Sequence, residues 1–189
     1  MEIYRTSDPA AAVRRYRECM AGHEGLIICK AEGHFVETGG LATLDRDACA
    51  RLNIPVAEAE YLGGSIVVMP GDLDLCRVTW GTVDWAPEMM DRVEAWLRAR
   101  GIAVTRDRND LLADGKKVAS WARATSYDGW CMSVMHFSVG PMDLELVRSI
   151  CTKEMMKTPG SLGEYGITAE DILALLGPYE DTAVVTRRK

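Results

Sequence analysis

The sequence predicts an α+β fold in which helices flank a largely antiparallel sheet. Two Asp-Gly pairs, at 114–115 and 128–129, lie between segments of strand-forming character, which is the pattern of tight β-turns. These turns join three consecutive strands. Apolar residues at helical spacing between 87 and 101 predict a long amphipathic helix ahead of them. Strands joined by tight turns form an antiparallel sheet, and a sheet of this kind with helices packed beside it defines the α+β class.

The other elements follow from turn and cap residues in chain order. Asp8-Pro9 begins a helix that ends before Gly22, because proline fits the first helical turn and glycine a helix end. Apolar or alternating runs predict strands at 25–30, 54–61 and 73–80. Three shorter helices are predicted at 45–52, 143–150 and 168–176, with a glycine-bearing loop at 33–40 and an irregular segment at 151–163.

Length and composition indicate one globular domain that spans 1–189, with 48% hydrophobic and 26% charged residues. The net charge of -6 argues against broad binding to nucleic acid or to anionic membranes. No signal-peptide pattern or membrane-length apolar run is present in the sequence, so a cytoplasmic protein is expected. The six dispersed cysteines lack zinc-ligand spacing, which favours reduced thiols and no metal site.

The hairpin around Asp114-Gly115 presents one lysine as a candidate catalytic residue. A two-residue turn places Leu112 opposite Lys117 and Asp110 opposite Ala119. Alternation along the strand then puts Lys117, Ala119 and Trp121 on one face, with Asp110 as a diagonal neighbour of the lysine. Burial and a nearby carboxylate could tune the titration of this ammonium group. The alternative is an ordinary solvated lysine beside a turn.

Residues 108–120, which run from Arg-Asn-Asp-Leu through Asp-Gly to Lys-Lys-Val-Ala-Ser, resemble the hairpin motif of the lipoate–protein ligase and octanoyl (lipoyl) transferase family. Residues 63–67, Gly-Gly-Ser-Ile-Val, resemble the glycine pair of the same family. The resemblance covers most of the chain. It implies the α+β catalytic domain that biotin and lipoate ligases share.

The resemblance also implies a function: attachment of a lipoyl or octanoyl group to a lysine of a lipoyl carrier domain. Lys117 corresponds to the strand lysine of the family, which bonds the acyl carbonyl or an adenylate phosphate. Implied donors are an acyl carrier protein, acyl-adenylate, or the free acid with ATP and magnesium. The positions implied to bind substrate are Gly63, Gly64, Ser65, Arg108, Asn109, Asp110 and Ser120.

Transferase members of the family use a cysteine as an acyl acceptor. Residues 143–151, which end in Cys151, resemble the segment that leads to it, although the segment is two residues shorter and lacks the usual Pro-Cys-Gly. Nearby Lys153 is expected to lower the pKa of Cys151 and so to activate it. The alternative is a small apolar residue at the end of a helix.

Three positions depart from the family pattern. Leu62 replaces an arginine, Met69 a histidine, and Asp128 a second histidine. These losses weaken the case for ATP-dependent adenylation, because phosphate groups need cationic or hydrogen-bonding partners. A second function therefore stays open: a catalytically impaired relative that binds an acyl chain, a carrier domain or a partner subunit.

Pocket shape distinguishes the two functions. An enzyme needs a closed apolar tunnel that ends at Lys117 and Gly64, whereas Leu62, Met69 or Trp121 could fill that end in a binding module.

The sequence does not favour a catalytic role for the histidines. His34 is expected on a surface loop, and His136 is expected as a core or edge residue of a strand rather than as a base. With three histidines and no glycine-flanked serine turn, the sequence argues against a Ser-His-Asp hydrolase.

Overall fold

The computed structural model describes residues 1–40, 43–81, 85–153 and 155–177, with the backbone alone for 40 and 60–63. Within these ranges the chain forms ten strands and five α-helices. The elements are β1 (Glu2–Thr6), α1 (Pro9–Met20), β2 (Gly25–Lys30), β3 (Phe35–Gly40), α2 (Arg46–Arg51), β4 (Val56–Gly63), β5 (Ser65–Val68), β6 (Leu73–Trp80), α3 (Trp85–Ala99), β7 (Val104–Asp107), β8 (Asp110–Ala113), β9 (Lys116–Thr125), β10 (Trp130–Phe137), α4 (Leu144–Ile150) and α5 (Ala169–Ala174).

The strands form two sheets. The larger has seven strands in the order β1-β2-β6-β10-β9-β8-β7, and all its pairs are antiparallel except β1 with β2. The smaller has the order β4-β3-β5, with β3 parallel to β4 and antiparallel to β5. The prediction of an α+β fold with a largely antiparallel sheet and flanking helices is confirmed.

Each face of the larger sheet buries its own apolar core. On one face, Met135 and Phe137 of β10 pack with α3, whose inward stripe includes Met89 and Val93. On the other face, Met132 and Val134 pack under α1. Because side chains alternate along β10, residue 136 lies on the α1 side, which also faces the smaller sheet.

The sequence did not predict β1 or β5. The prediction of a loop at 33–40 was wrong, because that stretch contains β3. Glycines and Glu37 gave this stretch a loop-like composition, but Glu37 is buried and accepts a 2.6 Å hydrogen bond from the hydroxyl of Tyr16. A buried carboxylate is tolerated in a strand when such a partner satisfies it.

The predicted hairpins and helices are otherwise present, with shifts of a few residues at their ends. All six cysteines are free thiols. No helix in the described part of the chain has both the length and the apolar composition needed to cross a bilayer.

Candidate functional site

The β8–β9 hairpin turns through Asp114 and Gly115, whose φ angles of 47° and 78° are both positive. This is the backbone of a type I′ turn, which Asp-Gly favours because glycine has no Cβ to clash. Leu112 pairs with Lys117 as predicted. Beyond that pair Leu111 lies opposite Ala119, so one extra residue on β9 forms a β-bulge.

The bulge corrects the predicted face of the strand. Asp110 lies opposite Ser120, not Ala119, because the extra residue shifts the register by one. Ala119 is fully buried in the core beside α3, and Trp121 packs against the same core. Lys117 and Ser120 instead share the opposite face, where both line a cavity.

Lys117 lies beside one acidic residue, Asp110, and that carboxylate also binds a second lysine, Lys157. Its Nζ is 3.0 Å from Oδ1 of Asp110, and Nζ of Lys157 is 2.6 Å from the other oxygen of the same carboxylate. Lys157 also contacts Asp107 at 2.8 Å. Burial alone would lower the pKa of Lys157, but its bonds to the two carboxylates outweigh burial and raise that pKa. Two ammonium groups therefore flank one carboxylate at the cavity wall.

Lys157 was not singled out from the sequence, which predicts only an irregular segment at 151–163. It lies 47 residues after Asp110, and no short-range pattern links the two positions. The link is a backbone bridge: the N–H of Lys117 donates to the carbonyl of Thr158 at 2.8 Å, and Gly160 N–H donates to the carbonyl of Lys117 at 2.9 Å. Glycine is required at 160 because a Cβ there would lie 2.6 Å from the Cβ of Lys116.

The cavity has a volume of about 670 Å³ and lies between the α1-side face of the larger sheet, the smaller sheet and α4. One part of the lining, called here the charged end, is polar, and another part, called the apolar wall, is apolar; three buried polar groups also line the cavity. The charged or amide residues are Asp107, Arg108, Asn109, Asp110, Lys117 and Lys157; the apolar wall contains Ile66, Val67, Met142, Val147, Met155 and Met156; the polar groups are Ser120, His136 and Ser138; Gly64, Ser65, Cys151 and Pro159 complete the lining.

The glycine pair lies at the junction of β4 and β5. Gly63 ends β4, and Gly64 lines the cavity. A Cβ built at Gly64 would meet no protein atom within 4 Å, so packing within the chain does not require glycine there. Ser65 also lines the cavity, and its hydroxyl lies 2.9 Å from that of Thr43.

Arg108 and Asn109 form the turn between β7 and β8, and both side chains are exposed at the cavity. The φ angle of Arg108 is 57°, in the left-handed region that non-glycine residues seldom adopt. Such strain concentrates at functional positions. The turn holds Arg108 next to the two carboxylates of the charged end.

Cys151 follows α4 and is half-buried in the cavity wall. Burial raises the pKa of its thiol. The expectation that Lys153 activates this cysteine is therefore wrong: the pKa shift runs in the opposite direction, toward a less reactive thiol.

His136 was expected to have a structural role, yet it faces the cavity and makes contacts of chemical interest. Its side chain is 5% exposed, its Nδ1 lies 2.7 Å from Oδ1 of Asp74, and its Nε2 lies 3.2 Å from Oγ of Ser138. A second carboxylate, that of Asp72, is 3.6 Å from Nε2. Asp74 is 62 residues away in sequence, so only the pairing of β6 with β10 brings it to the histidine.

The three departures from the family motif lie in different places. Met69 is fully buried, and Asp128 is in the β9–β10 turn, where it accepts a hydrogen bond from the hydroxyl of Ser126. The side chain of Leu62 lies outside the described residues. Met69 and Trp121 do not contribute to the described cavity lining, so neither fills the end beside Lys117.

The charged end does not offer a ready magnesium site. Among the described residues, no three His, Cys, Asp or Glu side chains lie together in a metal-binding arrangement. Asp107 and Asp110 are the acidic residues of the charged end, and each is bound by a lysine ammonium group. A divalent cation would have to displace Lys157 to reach them.

Comparison with known proteins finds solved structures of similar fold. No protein-family model and no curated protein matches the sequence. Protein Ta0514 of T. acidophilum, described as a lipoate protein ligase and solved with bound lipoic acid, matches with a TM-score of 0.73 and 17% identity over 95% of this chain and 83% of that chain. A bi-partite lipoate protein ligase of Thermoplasma acidophilum, reported with its E2 lipoyl domain, has a TM-score of 0.71 and 16% identity over 100% and 85%.

Two further structures extend the comparison. Lipoate-protein ligase A bound with ATP has a TM-score of 0.71 and 17% identity over 100% of this chain and 87% of that chain. A biotin protein ligase from Aquifex aeolicus, solved with biotin, has a TM-score of 0.55 and 13% identity over 96% and 69%. The fold implied by the hairpin motif is confirmed: this chain has the fold of the lipoate–protein and biotin–protein ligase catalytic domains.

Proposed function

We propose that this protein attaches a lipoyl or octanoyl group to a lysine of a lipoyl carrier domain. One observation carries the proposal: the Lys117 ammonium group, held by Asp110, lies at the wall of a cavity that has an apolar side. A ligand with an aliphatic chain and an activated carboxyl group matches both parts of this cavity. The fold shared with lipoate ligases supports the same substrate class.

Each part of the cavity has a distinct role in this proposal. The apolar wall, which includes Ile66 and Val147, holds the acyl chain, and Gly64 leaves room for it. The carbonyl carbon lies near Lys117. As the amine of the carrier lysine attacks, a C–N bond forms and negative charge grows on the carbonyl oxygen. The Lys117 ammonium stabilises that charge, the attacking nitrogen loses a proton to solvent, and the bond from the carbonyl carbon to the leaving group then breaks with its electron pair on the leaving group.

We propose direct transfer to the carrier lysine without an acyl-cysteine intermediate. Thioester formation needs a thiolate, and burial raises the pKa of Cys151. Lys157 and Arg108 add positive charge at the end of the cavity where the leaving group departs. That charge suits an adenylate phosphate. Acyl-adenylate is accordingly the donor we favour, and a solved structure of the same fold is bound with ATP.

A transfer assay with three donors tests the proposal. Purified protein and a lipoyl domain are incubated with lipoate plus ATP, with lipoyl-adenylate, or with octanoyl carrier protein, and mass spectrometry measures the acylated domain. We expect transfer from lipoyl-adenylate. No transfer from any of the three donors would contradict the proposal and favour the alternative of a binding protein.

Two lysine variants make the assay specific to the site. Lys117→Ala should lower kcat by a factor on the order of 10² or more, since one electrostatic contact to the developing oxyanion is lost. Lys116→Ala is the matched control, because Lys116 precedes it on the same strand but pairs with Glu164 outside the cavity. Equal activity of the two variants would contradict the role of Lys117.

A further inference from the structure

Three side chains form a continuous hydrogen-bonded line, and two of them line the floor of the cavity. Asp74 binds Nδ1 of His136 at 2.7 Å, and Nε2 of the same ring lies 3.2 Å from the hydroxyl of Ser138. His136 and Ser138 are both buried, yet both line the cavity. Burying a polar group is costly unless it is hydrogen-bonded, and each of these groups has a hydrogen-bond partner in the line. The proposed function above assigns no role to these residues.

The line ends beside Lys117. Ser138 follows β10, and its N–H donates to the carbonyl of Val118, the residue after Lys117, at 2.9 Å. His136 lies opposite Ser120 on β9, and Ser120 is the other polar group of the floor. The Ser138 hydroxyl is therefore placed on the side of the cavity where the proposed function puts the acyl carbonyl.

The protonation state of His136 determines whether the Ser138 hydroxyl donates its hydrogen to the ring or to another group. Asp74 on β6, Asp72 just before it, and Lys117 on β9 are the charged groups that act on the ring. Burial lowers the pKa of His136, but the two carboxylates outweigh burial and Lys117, so the pKa is raised. A protonated ring donates from both nitrogens. It therefore donates to the oxygen of Ser138 and leaves the serine hydrogen to point elsewhere.

We propose that Ser138 donates a hydrogen bond to an oxygen of the acyl substrate beside Lys117, and that His136, fixed by Asp74, is the positioning residue that keeps the hydroxyl in this orientation. The inference rests on the proposed function and adds a second donor to its site. Two donors to one oxygen form an oxyanion hole.

Asp74, His136 and Ser138 are connected in the same way as the residues of a Ser-His-Asp hydrolytic triad. We infer a different role for the serine here. A serine nucleophile needs a neutral imidazole that accepts its proton. Asp72 lies 3.6 Å from the nitrogen that would accept this proton, and its negative charge favours the imidazolium form. The serine thus acts as a donor, and no acyl-serine forms.

Substitution of Ser138 tests the inference. Ser138→Ala should lower kcat for transfer from lipoyl-adenylate by a factor on the order of 10², as expected for loss of one donor. Ser138→Thr keeps a hydroxyl and should retain more of the activity. Ser133→Ala is the control, since Ser133 is buried on β10, the strand that Ser138 follows, and is outside the cavity lining. Equal losses in the Ala and Thr variants, or none in Ser138→Ala, would overturn the inference.

The pH dependence of kcat distinguishes hydrogen-bond donation by Ser138 from a packing role of its side chain. As pH rises through the pKa of His136, the neutral ring accepts the serine hydrogen and removes it from the substrate. The ratio of wild-type to Ser138→Ala kcat should therefore decrease with rising pH, and this ratio cancels the ionisation of the carrier lysine. A ratio that does not change with pH would contradict the role of His136. Absence of transfer by the wild type would instead contradict the proposed function itself.

Discussion

The Nζ atom of Lys117 lies 3.0 Å from Oδ1 of Asp110, across the two strands that the Asp114–Gly115 turn connects. The other oxygen of Asp110 binds Lys157, which lies in the segment between α4 and α5. One carboxylate therefore sets the positions of two cations at the charged end of the cavity. Its side chain is 18% exposed, so solvent screens the pairs only in part.

Asp110→Asn should impair transfer more than it impairs folding. The neutral amide cannot balance two ammonium groups, so Lys117 loses its fixed position and kcat should fall about tenfold or more. Because both ion pairs are partly exposed, the free energy of unfolding should fall by only about 1 kcal/mol. Kinetics with lipoyl-adenylate and urea unfolding measure the two effects. Asp114→Asn is the control, since asparagine also suits the turn position; a similar loss there would argue against the role of Asp110.

Cys151→Ser should leave transfer from lipoyl-adenylate within about threefold of wild type, because the proposed route does not use a thiolate. Mass spectrometry of wild-type protein incubated with octanoyl carrier protein should find no acyl group on Cys151. An adduct at this residue, lost in the serine variant together with activity, would establish the transferase route in place of direct transfer.

Gly64→Val should weaken binding of the acyl substrate without unfolding the protein. A Cβ at this position meets no protein atom, so the added side chain projects into open space at the cavity. We expect KM to rise by about tenfold, through lost apolar contact of the acyl chain. Gly33→Val is the control, because a Cβ at Gly33 also meets no protein atom and Gly33 is outside the cavity lining. Unchanged KM in the Gly64 variant would place the acyl chain elsewhere.

The stability of the protein should depend on the ionisation of His136. Its pKa is raised in the folded state, so the stabilisation is complete below the ordinary value of 6.5 and is lost as pH rises through the raised pKa. Urea unfolding, measured at about every pH unit between pH 6 and pH 9, should show this decrease in the free energy of unfolding. In His136→Gln the same pH dependence should be absent, whereas His34→Gln, at an exposed loop position, should retain it.

The sequence predicted the part of the site that local chemistry determines. Asp-Gly requires a tight turn, and the turn alone places Leu112 opposite Lys117 and Asp110 within reach of it. The helices followed from their apolar spacing and caps. The resemblance identified Gly64 and Lys117, and both line one cavity.

Long-range pairing determined what the sequence did not predict. The bulge on β9 turns Ser120 toward the cavity and Ala119 toward the core, and no turn residue marks it. Lys157 reaches Asp110, and His136 reaches Asp74, only after distant segments have docked. Neither contact has a periodic pattern, because each depends on which strands become neighbours rather than on the spacing within one strand.

The backbone bridge between Lys117 and the 158–160 segment has a consequence for how the cavity is assembled during folding. The hairpin can close early, since it pairs residues that are close in sequence, whereas the bridge must wait for a segment synthesised about forty residues later. Until that segment docks, the hairpin lacks both the bridge to its backbone and the ammonium group of Lys157. The complete charged end of the cavity should therefore form in a later kinetic phase than the hairpin.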